Sequence, residues 1–353
     1  MSSEPATRSI AVLRALPGVG DMLCLVPALR AVRAAEPRSH VVLVGLPSAR
    51  WLVARYPELC DEVVVAEGVA GIPEVVPDPP AALRFLASAQ ARRFDLALGL
   101  HGSGVTTNPL VTLLGARTQV TARLPGHWIP PGTSVAYPSW LPEVHRLLAV
   151  VEAAGFPPKG DRVHLPVRPA DQRSLDAVAA AAGLPDGPIA CVHPGATRPA
   201  NRWPVERFAA AADHLAGRGY RVVLTGTADE RGLARAVARA MRAPAVDLSG
   251  RTGIGTLAAL LGRASIALSN DTGAAHVAAA TGTPSVVLFA PDGDPDRWAP
   301  LDRDLHLRLR GGRAGGWPTL ADVVRALDTQ LARWAGGGTG ARTVTSRRPE
   351  EHV

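Results

Sequence analysis

The run from residue 264 to residue 289 limits the fold of this chain more than any other. An apolar stretch at 264–268 leads into Ser269-Asn270-Asp271-Thr272-Gly273-Ala274-Ala275-His276, then an alanine-rich helical run, then a second apolar stretch at 285–289. This reads as strand, polar turn, small-residue helix, strand, and the alanines let the helix pack closely on a sheet. A turn at the carboxyl end of such a strand, opening onto a helix N-terminus, is where open α/β sheets receive anionic ligands. A carboxylate at Asp271 suits sugar hydroxyls better than it suits a phosphate. Asp271 and Thr272 are equally good N-caps, which need no ligand at all.

The same alternation fills the rest of the chain, in two rounds. The first round predicts strands at 10–13, 41–45, 63–66 and 96–100, with helices at 22–35, 80–91, 109–114 and 143–154. Glu36-Pro37 ends the first of these helices. A Pro- and Gly-rich connection at 155–169 follows, with a helix at 170–182. The second round predicts strands at 189–193, 221–225, 245–248, 264–268 and 285–289, separated by helices at 205–218, 229–241, 256–261 and 274–281. Strands alternating with helices make parallel sheets. The expected architecture is α/β: two Rossmann-like domains facing a central cleft, over residues 8–166 and 170–316. A helix at 317–334 is expected to cross back to the first domain, ahead of a disordered tail at 335–353.

Composition narrows the functional classes. With 353 residues, 47% of them hydrophobic, the chain has material for two substantial cores. No apolar run reaches the length of a membrane span, and residues 10–13 are too few for a signal-peptide core, so a cytoplasmic protein is expected. Cys24, Cys60 and Cys191 are scattered without metal-ligand spacing, so neither disulfides nor a metal site is expected. The formal net charge is +7, and Lys159 is the sole lysine. That usage, with abundant Ala, Gly and Pro, suits a bacterial genome of high GC content. It also means that any phosphate clamp must use Arg and backbone N–H groups. Dispersed arginines and only 4% aromatic residues give no support to nucleic-acid binding.

Several turns fall at predicted strand ends. Gly18-Val19-Gly20-Asp21 places a carboxylate at a helix start behind two glycines that let the backbone approach a ligand. It lacks the final glycine of a dinucleotide fingerprint, which argues against an NAD-dependent dehydrogenase. Leu100-His101-Gly102-Ser103-Gly104 puts a histidine where it could act as a base or touch an acceptor. His193-Pro194-Gly195-Ala196-Thr197, closed by Arg198, Asn201, Arg202, Trp203 and Pro204, is a candidate diphosphate cradle. Asp294-Pro295-Asp296-Arg297-Trp298 is a late loop in which Trp298 alone reads as packing.

In this order and spacing the turns resemble glycosyltransferase family 9, over residues 9–330. The resemblance rests on Leu13-Arg14 with Gly20-Asp21 and Pro27-Ala28-Leu29-Arg30, and on Leu100–Gly104 with Asn108. It continues through His193-Pro194-Gly195-Ala196 with Arg202-Trp203-Pro204, then Asn270-Asp271-Thr272-Gly273, His276, and Asp294-Pro295 with Trp298. It implies a GT-B fold with an N-terminal acceptor domain and a C-terminal nucleotide-sugar domain. It further implies an inverting, metal-independent transfer without a cofactor. Asp21 matches the family's base, with His101 as the alternative. The implied donor contacts are His193–Arg198, Arg202, Thr225, Gly226, Asn270, Asp271, Thr272, Gly273 and His276. The implied acceptor contacts are Gly18, Gly20, His101, Ser103 and Asn108. Asn201 departs from the lysine the family often carries there, which shifts the phosphate charge to Arg202 or Arg198.

The expected partners are a nucleotide-sugar donor, ADP-heptose first, and a glycan, lipid-linked or natural-product acceptor. The expected location is the cytoplasm or the inner membrane face. The alternatives are another GT-B enzyme, such as a sugar-nucleotide epimerase, and a non-catalytic nucleotide-sugar-binding protein.

Overall fold

In the computed structural model, residues 7–311 and 316–334 are described. The tail expected at 335–353 lies outside the described residues. The chain divides into two compact units. The first comprises Met1–Pro166, Asp271–Ala280 and Asp292–Leu301; the second comprises Val167–Asn270, Thr281–Pro291 and Asp302–Val353.

In the first unit the strands are β1 (Ser9–Leu13), β2 (His40–Gly45), β3 (Glu62–Val65), β4 (Leu96–Gly99), β5 (Thr118–Arg123) and β6 (Thr133–Ala136). They form one parallel sheet in the order β3-β2-β1-β4-β5-β6. Its central strands are apolar without alternation, as strands covered on both faces must be. Ile10, Ala11, Val12 and Leu13 have no exposed surface. The covering helices are α1 (Val19–Leu23), α2 (Val26–Ala35), α3 (Arg50–Arg55), α4 (Pro79–Ala91), α5 (Asn108–Leu113) and α6 (Glu143–Ala153). The single helix expected at 22–35 is two, because Pro27 stands in the first turn of α2, where its missing N–H costs nothing. The short α1 is therefore a separate turn that carries Asp21.

The second unit begins with α7 (Pro169–Ala181) and β7 (Ile189–His193), then α8 (Val205–Gly217), β8 (Arg221–Leu224), α9 (Arg231–Ala240) and β9 (Val246–Asp247). Next come α10 (Ile254–Arg263), β10 (Ala264–Asn270), α11 (Gly273–Thr281), β11 (Ser285–Phe289), α12 (Pro295–Trp298), β12 (His306–Arg310) and α13 (Leu320–Trp334). Its sheet, again parallel, runs β12-β11-β10-β7-β8-β9. Read from β9, this is the strand order of the first unit. In both sheets the order in which strands are added reverses between the first and fourth strands, which sets the switch points beside β1/β4 and β7/β10.

Two expectations need correction. The terminal helix α13 does not cross back: Val323, Leu327 and Leu331 are buried in the core of the second unit with Phe208, Leu215, Ile266 and Leu288. The domains are also not continuous in sequence, since Asp271–Ala280 and Asp292–Leu301, with most of α11 and all of α12, group with the first unit.

Candidate active site

At the switch point of the first unit, β1 ends in Arg14, which has no exposed surface. Three acceptors hold its guanidinium. Nε–H donates to the Asp21 carbonyl at 2.9 Å, and Nη1–H donates to the Leu100 carbonyl at 2.8 Å. Nη2–H donates to Glu143 Oε1 at 3.0 Å. Glu143, in the first turn of α6 and 2% exposed, accepts from Arg297 Nε at 2.9 Å through its other oxygen. Burial alone would raise the Glu143 carboxyl; the two arginines outweigh it and hold it below the usual range. Arg297 in turn lies 4.4 Å over the Trp298 ring.

Asp21 sits on this frame, with Oδ1 at 3.8 Å from Arg14 Nη2. Its pKa is raised, because burial outweighs the opposing charge of Arg14. Gly18 is needed for this placement: a Cβ there would stand 2.3 Å from Asp21 Oδ2. Asp271 belongs to the same cluster. Burial, with the charges of Asp21 and Asp294, pushes its pKa to about 7. Thr272 caps α11 by accepting the Ala274 N–H at 3.2 Å. Gly273 brings α11 close to α1, since a Cβ on it would lie 3.1 Å from the Val19 Cβ.

His101, after β4, accepts the Ala15 N–H on Nδ1 at 3.1 Å. Burial and then the Arg14 charge lower its pKa to about 4. With Nδ1 accepting the Ala15 N–H, the neutral ring carries its proton on Nε2 and presents a donor there. Ser103 and His101 line a cavity of about 420 Å³ with Gly102, Tyr137, Ser139 and Arg297.

Two residues of expected contacts are buried. Asn108 is 2% exposed, and its Nδ2 donates to the Ala122 carbonyl at 2.9 Å, while its Oδ1 has no hydrogen-bond partner among the described residues. His276 is 8% exposed, lies edge-on to Trp298, and touches Gly20 so closely that a Cβ there would be 2.3 Å from its Cδ2. It packs in the α1–α11 contact.

At the switch point of the second unit the chemistry is different. Asn270, fully buried at the end of β10, donates from Nδ2 to the carbonyls of Pro194 (2.8 Å) and Gly195 (3.1 Å). Its Oδ1 accepts the Trp203 N–H at 3.1 Å. Asn270 thus shapes the 193–203 loop, with both Nδ2 protons given to loop carbonyls. Trp203, 1% exposed, fixes the other end through its Nε1–H to the Pro318 carbonyl at 3.0 Å. Arg202 is held at the loop by donating Nε–H to the Ala196 carbonyl at 2.9 Å. Pro194, Gly195 and Ala196 are buried, whereas Thr197 and Arg198 are exposed.

His193 Nδ1 pairs with Thr225 Oγ1 at 3.1 Å, and Nε2 lies 3.8 Å from Glu230 Oε2. Burial lowers its pKa against the pull of Glu230. Thr225 is 1% exposed and orients His193 from beneath. Glu230, not foreseen from sequence, accepts the Thr227 N–H at 2.8 Å and lies under both Gly195 and Gly226. A Cβ on Gly195 would meet its carboxylate at 2.3 Å. Among the described residues no group of three or more His, Cys, Asp or Glu stands in metal-holding geometry.

Paired parallel sheets of this order, each with a loop cluster at its switch point, define a protein of GT-B fold. The glycosyl transferase family 9 structure from Veillonella parvula superposes with a TM-score of 0.76 at 21% identity, covering 94% of this chain and all of that one. E. coli ADP-heptose lps heptosyltransferase II gives 0.70 at 22%, covering 93% and 99%. E. coli heptosyltransferase WaaC with ADP gives 0.64 at 19%, covering 91% and 99%. The chain belongs to glycosyltransferase family 9 (heptosyltransferase), whose family model matches residues 89–309. In sequence it is 29% identical over 205 residues to lipooligosaccharide heptosyltransferase 2 of Haemophilus influenzae, a match that spans 51% of this chain and 58% of that relative.

Proposed function

We propose that this protein transfers a sugar from a nucleotide diphosphate to an acceptor hydroxyl, with inversion and without a metal. The observation that carries the reading is Asp21: a carboxylate of raised pKa, braced by the fully buried Arg14 through both its backbone and its charge. A base poised above the ordinary carboxylate range takes a hydroxyl proton more readily. In the proposed step Asp21 accepts that proton as the acceptor oxygen attacks the anomeric carbon. The bond from that carbon to the diphosphate oxygen breaks, and the diphosphate leaves unprotonated through an oxocarbenium-like state. His101 donates Nε2–H to the acceptor and orients it.

The second unit supplies the nucleotide site in this reading. Glu230 follows the second strand of a Rossmann sheet, where an acidic residue takes ribose hydroxyls. Arg202 and the backbone of the 193–197 loop face the diphosphate, and Arg202 stabilises the leaving charge. Asp271 takes hydroxyls of the donor sugar. ADP-heptose is the donor of choice, since relatives of this fold are an ADP-heptose heptosyltransferase and a heptosyltransferase with ADP. No helix of the described residues is long and apolar enough to cross a membrane. The proposed setting is the cytoplasm, at the inner membrane face for a lipid-linked acceptor.

Calorimetric titration with ADP, UDP and ADP-heptose, followed by product analysis in EDTA, tests the reading. The expected result is ADP and ADP-heptose binding, with an inverted glycoside formed in the chelator. Binding without product would leave a nucleotide-sugar-binding protein, and loss of turnover in EDTA restored by Mg²⁺ would end the metal-free mechanism.

A further inference from the structure

Glu143 joins the charges of the first unit's site, and its place in a helix does not explain it. An acid in the first turn of a helix gains from the helix dipole with its carboxylate still in water. Glu143 is instead 2% exposed, with Oε1 accepting from Arg14 Nη2 at 3.0 Å and Oε2 accepting from Arg297 Nε at 2.9 Å. Ion pairs this deep are costly to desolvate, and apolar residues of equal size often replace them without loss of stability. Stability alone therefore does not account for Glu143.

Its two oxygens reach α1 by two routes. On one side, Arg14 Nε–H donates to the Asp21 carbonyl at 2.9 Å, so the guanidinium that Glu143 anchors also fixes the backbone of the aspartate. On the other, Arg297 lies 4.4 Å over the Trp298 ring, and Trp298 meets His276 edge-on with centroids 6.4 Å apart. The His276 ring fills the space beside Gly20, the neighbour of Asp21. The two routes close a ring through Glu143.

Distances within the ring are unequal. Arg14 Nη2 stands 3.0 Å from Glu143 Oε1 but 3.8 Å from Asp21 Oδ1, beyond hydrogen-bond reach. Two carboxylates compete for one edge of a guanidinium, and Glu143 holds it. An aspartate in a direct pair with arginine takes a proton less readily and is the weaker base.

We infer that Glu143 is the positioning residue of the site: by holding Arg14 on one oxygen and Arg297 on the other, it keeps Arg14 from closing on the Asp21 carboxylate. This rests on reading Asp21 as the base. Asp21 is raised first by burial, with Glu143 of α6 and Glu74 of the loop between β3 and α4 acting in the same direction. Arg14 at the end of β1 and Arg297 of α12 act against them. Asp271, in the turn after β10, shares its field with Asp21. Burial pushes His276 of α11 down to about 4 and Cys24 up to about 12, so both are neutral near pH 7.

Carboxyl-carbon NMR of the full chain, labelled at aspartate Cγ, tests the inference without donor or acceptor. The Asp21 resonance is the one lost in Asp21→Asn, and Asp271→Asn identifies its neighbour. In Glu143→Gln the released Arg14 should close on Asp21, and the Asp21 midpoint should move to lower pH by about one pH unit. Glu74→Gln removes a like charge from an exposed residue that does not hold Arg14, and its shift should be several-fold smaller. Arg297→Gln, at a partly exposed side chain, leaves Glu143 to Arg14 alone and should move the midpoint to higher pH. That variant decides the matter if Glu143→Gln does not fold. The inference is overturned if Glu143→Gln leaves the midpoint in place or raises it, if Glu74→Gln matches it, or if Arg297→Gln fails to raise it. The transferase reading fails separately: midpoints that move as expected in a protein that forms no glycoside from ADP-heptose keep Glu143 as the residue that places Arg14 and remove the base.

Discussion

The two switch points are built on one strand order and are framed by different buried groups. Beside β1 and β4 stands an ionic network of Arg14, Glu143 and the partly exposed Arg297, which carries Asp21; Asp271, the residue after β10, joins Asp21 there, and both carboxylates have raised pKa values. Beside β7 and β10 the frame is neutral, with Asn270 and Thr225 bonded to the backbone of the 193–203 loop and to His193, and the Glu230 carboxylate lies next to His193. Topology thus decides where a ligand site opens, and the strand-end residues decide what it does. The ionic switch point suits proton transfer, whereas the neutral one suits holding a ligand through shaped backbone.

Breaking the ionic frame should have the largest effect on stability. Arg14→Met leaves Glu143 buried with one cation and frees the Leu100 and Asp21 carbonyls. Removing one member of such a buried network costs about 3–5 kcal/mol. The denaturant midpoint should fall accordingly with the slope unchanged; a loss below about 1 kcal/mol would show that the frame is not structural.

The neutral switch point should fail more gently. Asn270→Ala removes three hydrogen bonds and leaves the Trp203 N–H buried without its partner, for a loss of about 2–3 kcal/mol. ADP affinity should fall with it, while the Asp21 cluster keeps its titration. Equal disruption of both would mean that the two regions are not independent.

Asp271 gives the smallest effect, with the opposite sign. The folded protein keeps its proton up to about pH 7, whereas an unfolded aspartate loses it near 3.8. Between those values the folded state binds more protons, so wild-type stability falls as pH rises through this window. Asp271→Asn should stabilise the protein above pH 7, on the order of 2 kcal/mol after allowance for partial exposure, and make no difference near pH 3. Thermal melts at both pH values check this; a destabilised variant at pH 8 would mean that Asp271 has a favourable partner.

The contrast between the switch points also explains what the sequence disclosed. The central strands of both sheets were legible because strands covered on both faces are largely apolar, as in the run at 264–268. Three edge-side strands were not: β5 (TQVTAR), β6 (TSVA) and β12 (HLRLR) mix polar and charged residues, because at least one face is half-open. Within the site, the glycine turns around Asp21, His101, His193 and Asp271 were visible as local patterns. The ionic network was not, since Arg14 and Glu143 are 129 positions apart and Glu143 looks like an ordinary first-turn acid. Asn108 and His276 came from the family resemblance alone, and their burial against Ala122 and Trp298 depends on distant parts of the chain that no local pattern shows.

The central claim is that the ionic switch point removes the acceptor proton while the neutral one holds the nucleotide. Asp21→Asn tests it most directly, with ADP affinity by calorimetry and transfer rate measured on the same preparation. The account predicts unchanged ADP binding with transfer reduced by about 10²–10⁴-fold, the worth of a positioned base. Transfer within a few-fold of wild type, or ADP affinity lost in step with it, would contradict the account.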